Sequence, residues 1–123
     1  MSTRYTKDHE WVRMEGDVAV IGISKYAAEQ LGDVVYVEVP GKGATFAQGA
    51  DMAVVESAKA ASDVYAPIAG EVVAANEALS AQPDLVNQSA EGDGWFVKIK
   101  PSNKADIEAL MDEAAYADFL KGL

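Results

Sequence analysis

The feature that most constrains this chain is a series of short β-branched runs, each ended within a few residues by glycine, proline or aspartate. The run at residues 18–23 follows the turn Glu15-Gly16-Asp17, and with the residues from Trp11 onward it predicts a hairpin. Further strands are predicted at residues 52–56, 63–66 and 71–75. Residues 67–70 would form a tight turn between the last two. Short strands at this spacing favour a β-barrel or sandwich.

Two other segments alternate in the manner of half-buried strands. In residues 34–39, one face is predicted to carry Val35, Val37 and Val39, and the other Val34, Tyr36 and Glu38. In residues 95–100, Trp95, Val97 and Ile99 alternate with Phe96, Lys98 and Lys100. The second segment would close the sheet.

Helical signals are few and short. Ser24 can cap a helix in which Ala27, Ala28 and Leu31 share a face, and Gly32 would end it. A helical turn is predicted at residues 83–86. The C-terminal end changes to helical spacing at Ile107, Leu110, Met111, Tyr116, Phe119 and Leu120, with Asp112 as a cap between two helices. These C-terminal helices should pack against the sheet core.

Composition narrows the class of protein. A length of 123 residues predicts one domain over residues 1–123, and half of the residues are apolar, enough for a packed core. The net charge of −10 would repel phosphate backbones and anionic lipids, so neither nucleic acid nor a membrane surface is an expected partner.

The sequence lacks both cysteine and a long apolar run. The chain has no cysteine, which rules out disulfides and thiolate metal sites, and we expect no metal. No apolar run approaches the ~20 residues of a membrane span, and Met1-Ser2-Thr3-Arg4 leads directly into structured-looking sequence. We therefore expect a cytoplasmic protein.

The most informative segment is residues 54–67, in which two strand-like flanks surround a tip of small residues with one lysine, Lys59. The flanks favour a partly buried ladder, whereas serine and alanine at the tip allow tight turning and leave the amine accessible. A free ammonium group there is a poor nucleophile, so we assign no catalytic residue. Position alone would fit an ordinary solvated turn lysine.

The motifs around Lys59 resemble the lipoylation segment of glycine cleavage H proteins. The matching residues are Glu56-Ser57-Ala58-Lys59-Ala60 and Ser62-Asp63-Val64-Tyr65-Ala66-Pro67. Further motifs resemble the same family, in family order, at His9-Glu10-Trp11-Val12, Gly22-Ile23, Gln30-Leu31-Gly32-Asp33-Val34-Val35, Gly70-Glu71-Val72, Leu85-Val86-Asn87 and Gly94-Trp95. The resemblance covers nearly the whole chain.

This resemblance implies a mainly β, lipoyl/biotinyl-type barrel-sandwich hybrid of short antiparallel strands, with a short helix near the N-terminal third and C-terminal helices. It implies lipoic acid joined through an amide to Lys59, within an attachment segment that includes Glu56, Ser57, Ala60 and Asp63. Such group carriers leave the chemistry to the cofactor, so the chain would not be an enzyme.

The resemblance also implies a set of partners. The carrier would take the aminomethyl group of glycine from the pyridoxal-phosphate-dependent glycine decarboxylase (P protein) to the tetrahydrofolate-dependent aminomethyltransferase (T protein). Dihydrolipoamide dehydrogenase (L protein) would reoxidise it, and a lipoate ligase or lipoyl transferase would load it. A monomer in the bacterial cytoplasm is expected.

A loaded arm should fold against a cleft that excludes water, and the cationic amine that it carries suits carboxylates. Glu10 and Asp63 match the positions where the family places acidic groups near the arm, although both could be ordinary surface acids. His9, the only histidine, is interpreted as a structural residue. Three residues depart from the family pattern: Ala58 stands where valine is usual, Gln30 where several members have histidine, and Asp8 where serine or glutamate is common.

The residues leave several rival functions open. Biotin carriers also present a hairpin lysine but typically flank it with methionine, whereas the neighbours here are Ala58 and Ala60. Lipoyl domains of 2-oxoacid dehydrogenases are shorter and usually lack the His9-Glu10-Trp11 segment. An H-like lipoate relay would share the same arm. A hydrolase using Glu10, Asp63 or Glu71 and a pure interaction module belong to different classes of protein.

Overall fold

A computed structural model describes residues 3–123; Met1 and Ser2, the first residues of the Met1-Ser2-Thr3-Arg4 segment, lie outside this range. Within it, nine strands and five short helices follow one another. The strands are β1 (Thr3–Tyr5), β2 (Glu10–Glu15), β3 (Val18–Ile23), β4 (Val34–Glu38), β5 (Thr45–Phe46), β6 (Asp51–Ser57), β7 (Ala61–Tyr65), β8 (Gly70–Ala75) and β9 (Val97–Pro101). The helices are α1 (Lys25–Leu31), α2 (Ala78–Ala81), α3 (Leu85–Gln88), α4 (Ala105–Glu108) and α5 (Glu113–Lys121).

The strands form two antiparallel sheets. The order of the larger sheet is β1-β2-β3-β9-β8-β5, and the smaller has the order β4-β6-β7. The predicted β2–β3 hairpin is confirmed: Glu15 pairs with Val18, and Gly16 between them has a φ of 64°, which favours glycine. The mainly β class predicted from the sequence is therefore confirmed.

One apolar core lies between the two sheets. The larger sheet contributes Ile21, Val72 and Ile99, and the smaller contributes Val55 and Val64, each no more than 2% exposed. Fully burying an aliphatic side chain of this size stabilises a fold by about 1.5–3 kcal/mol. Packing of the two sheets therefore stabilises the fold, and it holds β6 and β7 in place.

A second apolar cluster lies on the other face of the larger sheet. Val20 alternates with Ile21, so it points away from the main core and packs with Tyr5, Trp11 and Tyr116. Helix α5 covers this cluster, and the Asp112 carboxylate caps the helix by accepting a hydrogen bond from the backbone N–H of Ala115 at 2.8 Å. The predicted packing of the C-terminal helices is confirmed.

Strand β4 corrects the predicted alternation. Val35 does not share a face with Val37: Val34 and Val37 are buried, whereas Val35 is 58% exposed. The reason is an irregularity in the pairing with β6 between Val34 and Tyr36, which adds one residue and shifts the side-chain alternation. Strict alternation predicts faces only where the ladder is regular.

Other local predictions were incomplete. Phe96 and Val97 were predicted to lie on opposite faces of one strand, but both side chains are fully buried. The reason is that β9 begins only at Val97. Phe96 precedes the regular strand, and its backbone N–H donates to the Ile21 carbonyl. The turn at residues 67–70 carries the chain from β7 in the small sheet to β8 in the large one. Strands β1 and β5 and helix α2 were not predicted.

Candidate functional site: a lysine hairpin and an acidic cleft

The lysine at position 59 lies at the tip of the β6–β7 hairpin. Glu56 pairs with Ala61 as the last pair of the ladder, and Ala58, Lys59 and Ala60 are all exposed. Lys59 forms no ion pair with any residue in the range 3–123. The predicted exposure of the amine on a strand–turn–strand unit is therefore present in the structure.

Ser57 fixes the conformation of the tip. Its hydroxyl oxygen accepts hydrogen bonds from the backbone N–H groups of Lys59 (3.2 Å) and Ala60 (3.1 Å), and the hydroxyl group donates to the Ala60 carbonyl (3.2 Å). The backbone N–H of Ser57 donates to the same carbonyl at 2.8 Å. A side chain that bonds to the backbone two or three residues further on favours a defined turn. The lysine thus extends from a fixed turn.

The tip rests on the connection between α1 and β4. The backbone N–H of Ala58 donates to the Asp33 carbonyl at 3.2 Å. The Lys59 side chain lies over Gly32, where a methyl group would be in van der Waals contact with it, 3.4 Å from Cε and 3.7 Å from Nζ. Gly32 has φ 79° and ψ −151°, a region that is essentially restricted to glycine. The predicted helix end at Gly32 is confirmed, and it provides the surface beneath the lysine.

Asn87, from α3, holds this connection. Its side-chain oxygen accepts a hydrogen bond from the backbone N–H of Val34 at 2.9 Å, and its side-chain nitrogen donates to the Gly32 carbonyl at 2.7 Å. Both partners belong to the turn on which the hairpin rests. Asn87 therefore positions the lysine hairpin indirectly, from a segment that is about thirty residues away in the sequence.

A cleft of about 320 Å³ lies beside the hairpin. Helix α1 forms one wall with Tyr26, Ala27, Gln30 and Leu31. The hairpin forms the opposite wall with Val55, Ser62, Asp63 and Val64. This volume is at the lower end of the ~300–1,000 Å³ of typical small-molecule sites, and the walls combine apolar with polar side chains. Because Gly32 directly follows the α1 wall, the lysine lies next to the cleft.

Glu10 lies deep in this cleft and is only 2% exposed. One carboxylate oxygen accepts a hydrogen bond from the Thr6 hydroxyl at 2.6 Å, and the other accepts one from the backbone N–H of Tyr65 at 3.3 Å. Burial raises the pKa of Glu10 to about 7, with a smaller contribution from the charge of Asp8, while the two hydrogen bonds act in the opposite direction. Glu10 can therefore gain or lose a proton near neutral pH.

Asp63 lies at the rim of the cleft. The β6–β7 register pairs Ser62 with Val55 and Asp63 with Val54, so Ser62 is on the cleft face of the sheet and Asp63 on the outer face. Asp63 contributes both to the cleft and to the neighbouring outer groove. The structure thus brings Glu10 and Asp63 to one cleft, whereas Glu56, Ser57 and Ala60 belong to the hairpin and do not line it.

His9 forms part of the cleft and is held by aromatic residues. Its Nδ1 lies 2.7 Å from the Tyr116 hydroxyl, and its ring packs against Tyr26 with the centroids 4.9 Å apart. Among the described residues other than glycine, His9 alone has a positive φ, of 69°. Burial lowers the pKa of His9. These contacts tie the N-terminal side of the cleft to helix α5.

Sequence reasoning missed the parts of the site that come from distant segments. Tyr26, Leu31 and Ser62 in the cleft walls were not proposed as site residues, and Asn87 was noted only as part of a motif. Leu31 carried a usable signal, since it belonged to the predicted apolar face of α1. The register that places Ser62 in the cleft depends on pairing that the sequence does not reveal.

Within the described residues no helix has the length and apolar character to cross a membrane.

The fold is found in a solved structure. The crystal structure of a glycine cleavage system H protein from Mycobacterium marinum matches with a TM-score of 0.88 and 34% sequence identity, covering 99% of this chain and 98% of that chain. The predicted lipoyl-type fold is confirmed. The two sheets and the exposed hairpin lysine place the chain in the class of lipoyl-type domains.

Sequence comparison narrows this class to one family. The model of the glycine cleavage H-protein family matches residues 3–122. A glycine cleavage system H protein from Xanthobacter autotrophicus is 60% identical over 122 residues, with 99% of this chain and 98% of the relative covered. One from Caulobacter vibrioides is 60% identical over 117 residues, with 95% and 97% covered. The chain belongs to the glycine cleavage H-protein family, and the resemblance noted in the sequence is confirmed. The chain therefore has a role in the glycine cleavage system.

Proposed function

We propose that Lys59 is the residue to which lipoic acid is attached through an amide, and that the chain carries the aminomethyl group of glycine on this arm. The observation that carries the proposal is the exposed amine on a fixed hairpin directly beside a cleft of about 320 Å³. Membership of the H-protein family supports the same assignment.

The residues around the hairpin fit a lipoyl group. Leu31, Val55 and Val64 in the cleft walls suit a hydrocarbon arm, because apolar contact removes its surface from water. Glu10 and Asp63 offer carboxyl groups to a cationic amine at its end. The tip residues Ala58 and Ala60 leave room around the lysine for an enzyme that modifies it.

When bound, the lipoyl group would supply a redox-active dithiolane, one sulfur of which can carry the aminomethyl group. The residues of the chain would hold the arm and shield the group that it carries. Ser57 and Gly32 hold the attachment point, and the cleft walls exclude water from what the arm carries. Glu10, with a pKa of about 7, can lose its proton as a cation approaches and so neutralise that charge inside the cleft.

We propose glycine decarboxylase, aminomethyltransferase and dihydrolipoamide dehydrogenase as the partners that act on the arm in turn, and a lipoate ligase or lipoyl transferase as the enzyme that attaches it. The chain provides no catalytic residue of its own. Residues 1–123 would work as one monomeric domain in the bacterial cytoplasm; the relatives named above come from bacteria.

Glycine-dependent turnover with the three purified partner enzymes tests this function. Wild-type protein carrying lipoate should support turnover, whereas Lys59→Arg should reduce it to the background without carrier. Arginine keeps the charge and length of the side chain, so the hairpin is preserved while the acceptor amine is lost. Equal turnover of the two proteins would contradict the proposal.

A further inference from the structure

The small sheet has an outer face that points away from the core, and this face ends at the lysine hairpin. The register of β4, β6 and β7 places Tyr36, Glu56 and Ala61 in one row across the sheet. The next row consists of Glu38, Val54 and Asp63. We call this the outer face, and define it by these six residues together with Val35.

Two large apolar side chains are exposed side by side at this face. Val35 is 58% exposed and Tyr36 is 46% exposed, and the only other exposed large apolar residue within the range 3–123 is Leu123 at the C-terminus. A single exposed apolar residue is ordinary, but an adjacent pair needs a reason. The bulge in β4 turns Val35 outward next to Tyr36.

Carboxylates surround this apolar pair. Glu38, Glu56 and Asp63 all belong to the outer face, and the Tyr36 hydroxyl donates a hydrogen bond to Glu38 at 3.3 Å. The charge of Glu38, with a smaller contribution from that of Glu56, raises the pKa of Tyr36. The face therefore combines an apolar centre with an acidic border.

The outer face is continuous with the attachment lysine. Glu56 is three residues before Lys59 in the chain, and Val34, next to Val35, pairs with Ser57 at the base of the tip. An enzyme that reaches an unmodified lysine amine must press against the hairpin itself, because the side chain extends only four methylene groups from the backbone. Its contacts must then fall on the surfaces next to the tip.

We propose that the outer face is the docking surface for the enzyme that attaches lipoate to Lys59, and that this enzyme presents a basic border around an apolar pocket for Val35 and Tyr36. The inference rests on the proposed function of Lys59. Tyrosine at the centre of an interface is a common source of binding energy, while complementary charge at the border speeds association and selects the partner.

The apolar centre is tested by attachment kinetics with purified lipoate ligase and unmodified carrier. The double variant Val35→Thr, Tyr36→Thr keeps β-branched residues in the strand but removes the apolar surface. Its kcat/KM should fall about tenfold, mainly through a higher KM, since the loss of one well-packed interface anchor costs about that factor. Leu123→Thr, which alters an exposed apolar residue far from the hairpin in sequence, should leave the kinetics unchanged.

The acidic border is tested separately, so that a folding defect in the double variant cannot decide the outcome. In Glu38→Gln, the decrease in kcat/KM with rising salt should become shallower than in wild type, because one charge of the steering field is lost. Glu108→Gln on α4, which removes one exposed acid elsewhere, should keep the wild-type salt dependence.

The results separate the two proposals. If wild-type protein is not modified at all, the proposed function fails. If it is modified, but the apolar double variant and Glu38→Gln retain the wild-type KM and salt dependence, the docking proposal fails alone. A defect confined to the glycine decarboxylase step, with normal attachment, would also overturn it and would assign the outer face to that partner.

Discussion

Glu10 is a buried carboxyl group at the base of the cleft, and its protonation links the site to stability. Its pKa rises from 4.5 to about 7 in the folded protein, chiefly because burial disfavours the charged form. The folded state therefore binds this proton more tightly than the unfolded state does. The resulting stabilisation is fully present below pH 4.5 and is lost as the pH rises through about 7.

Glu10→Gln should remove this dependence. As the pH rises from 4.5 to 8, the free energy of unfolding of the wild type should fall relative to that of Glu10→Gln by on the order of 3 kcal/mol, since one pKa unit corresponds to about 1.4 kcal/mol. Glutamine keeps an acceptor for the Thr6 hydroxyl, so the packing is largely preserved. Urea unfolding of both proteins across this pH range measures the difference; parallel curves, or a change of opposite sign, would contradict the assigned burial.

At the level of secondary structure, the lysine hairpin depends on a turn that another element holds. Asn87 of α3 bonds to Gly32 and Val34, and Asp33 between them accepts the hydrogen bond from Ala58 at the tip. This arrangement makes the geometry of the lysine hairpin sensitive to a residue that touches neither the lysine nor the cleft. It gives Asn87 the role of a positioning residue.

Asn87→Ala should loosen the hairpin by removing both hydrogen bonds, with a loss of about 1–3 kcal/mol in the free energy of unfolding. Hydrogen exchange should become faster at the amides of Val34 and Ala58, which measures the local effect beyond global stability. Asn87→Asp retains the acceptor for Val34 and should protect that amide better than alanine does. The control is the neighbouring Gln88→Ala, which loses only a hydrogen bond to Asp84 in the same segment. Equal exchange rates at these amides in all variants would contradict the positioning role of Asn87.

The elements that could be predicted from sequence are those fixed by local chemistry. The β2–β3 hairpin has its turn glycine, α1 has its Ser24 cap, and α5 has its Asp112 cap, whose side chains bond as expected. The β4 faces were wrong because the bulge beside Val35 is set by pairing with β6. Strands β1 and β5 are two or three residues long and exist only through their partners, so no local pattern identifies them.

In the candidate site, too, the part formed by one continuous segment could be predicted and the part assembled from distant segments could not. Lys59 could be proposed because its hairpin is one continuous segment that resembles a known motif. The walls of the expected cleft could not be predicted, because they combine residues 8–10, helix α1 and the hairpin, which are far apart in the chain. Only the sheet register shows that Asp63 lies at the rim and that Ser62 faces the cleft.

For the whole molecule, the two packed sheets support the hairpin that carries the exposed side chain of Lys59. The core between them fixes β6 and β7, and the aromatic cluster beneath α5 joins Tyr116 to His9 and so to the N-terminal side of the cleft. The walls of the cleft are therefore held by both apolar clusters, and the exposed amine of Lys59 lies at its edge. This division suits a carrier, in which the scaffold stays fixed and the attached group moves.

Intact-mass measurement after incubation with lipoate ligase, lipoate and ATP tests the central claim most directly. The wild-type chain should gain the mass of one lipoyl group, and fragmentation should place it on Lys59. Lys59→Arg should gain nothing, although seven other lysines remain available. A wild-type chain that stays unmodified, or a Lys59→Arg chain that is modified equally well, would contradict the account.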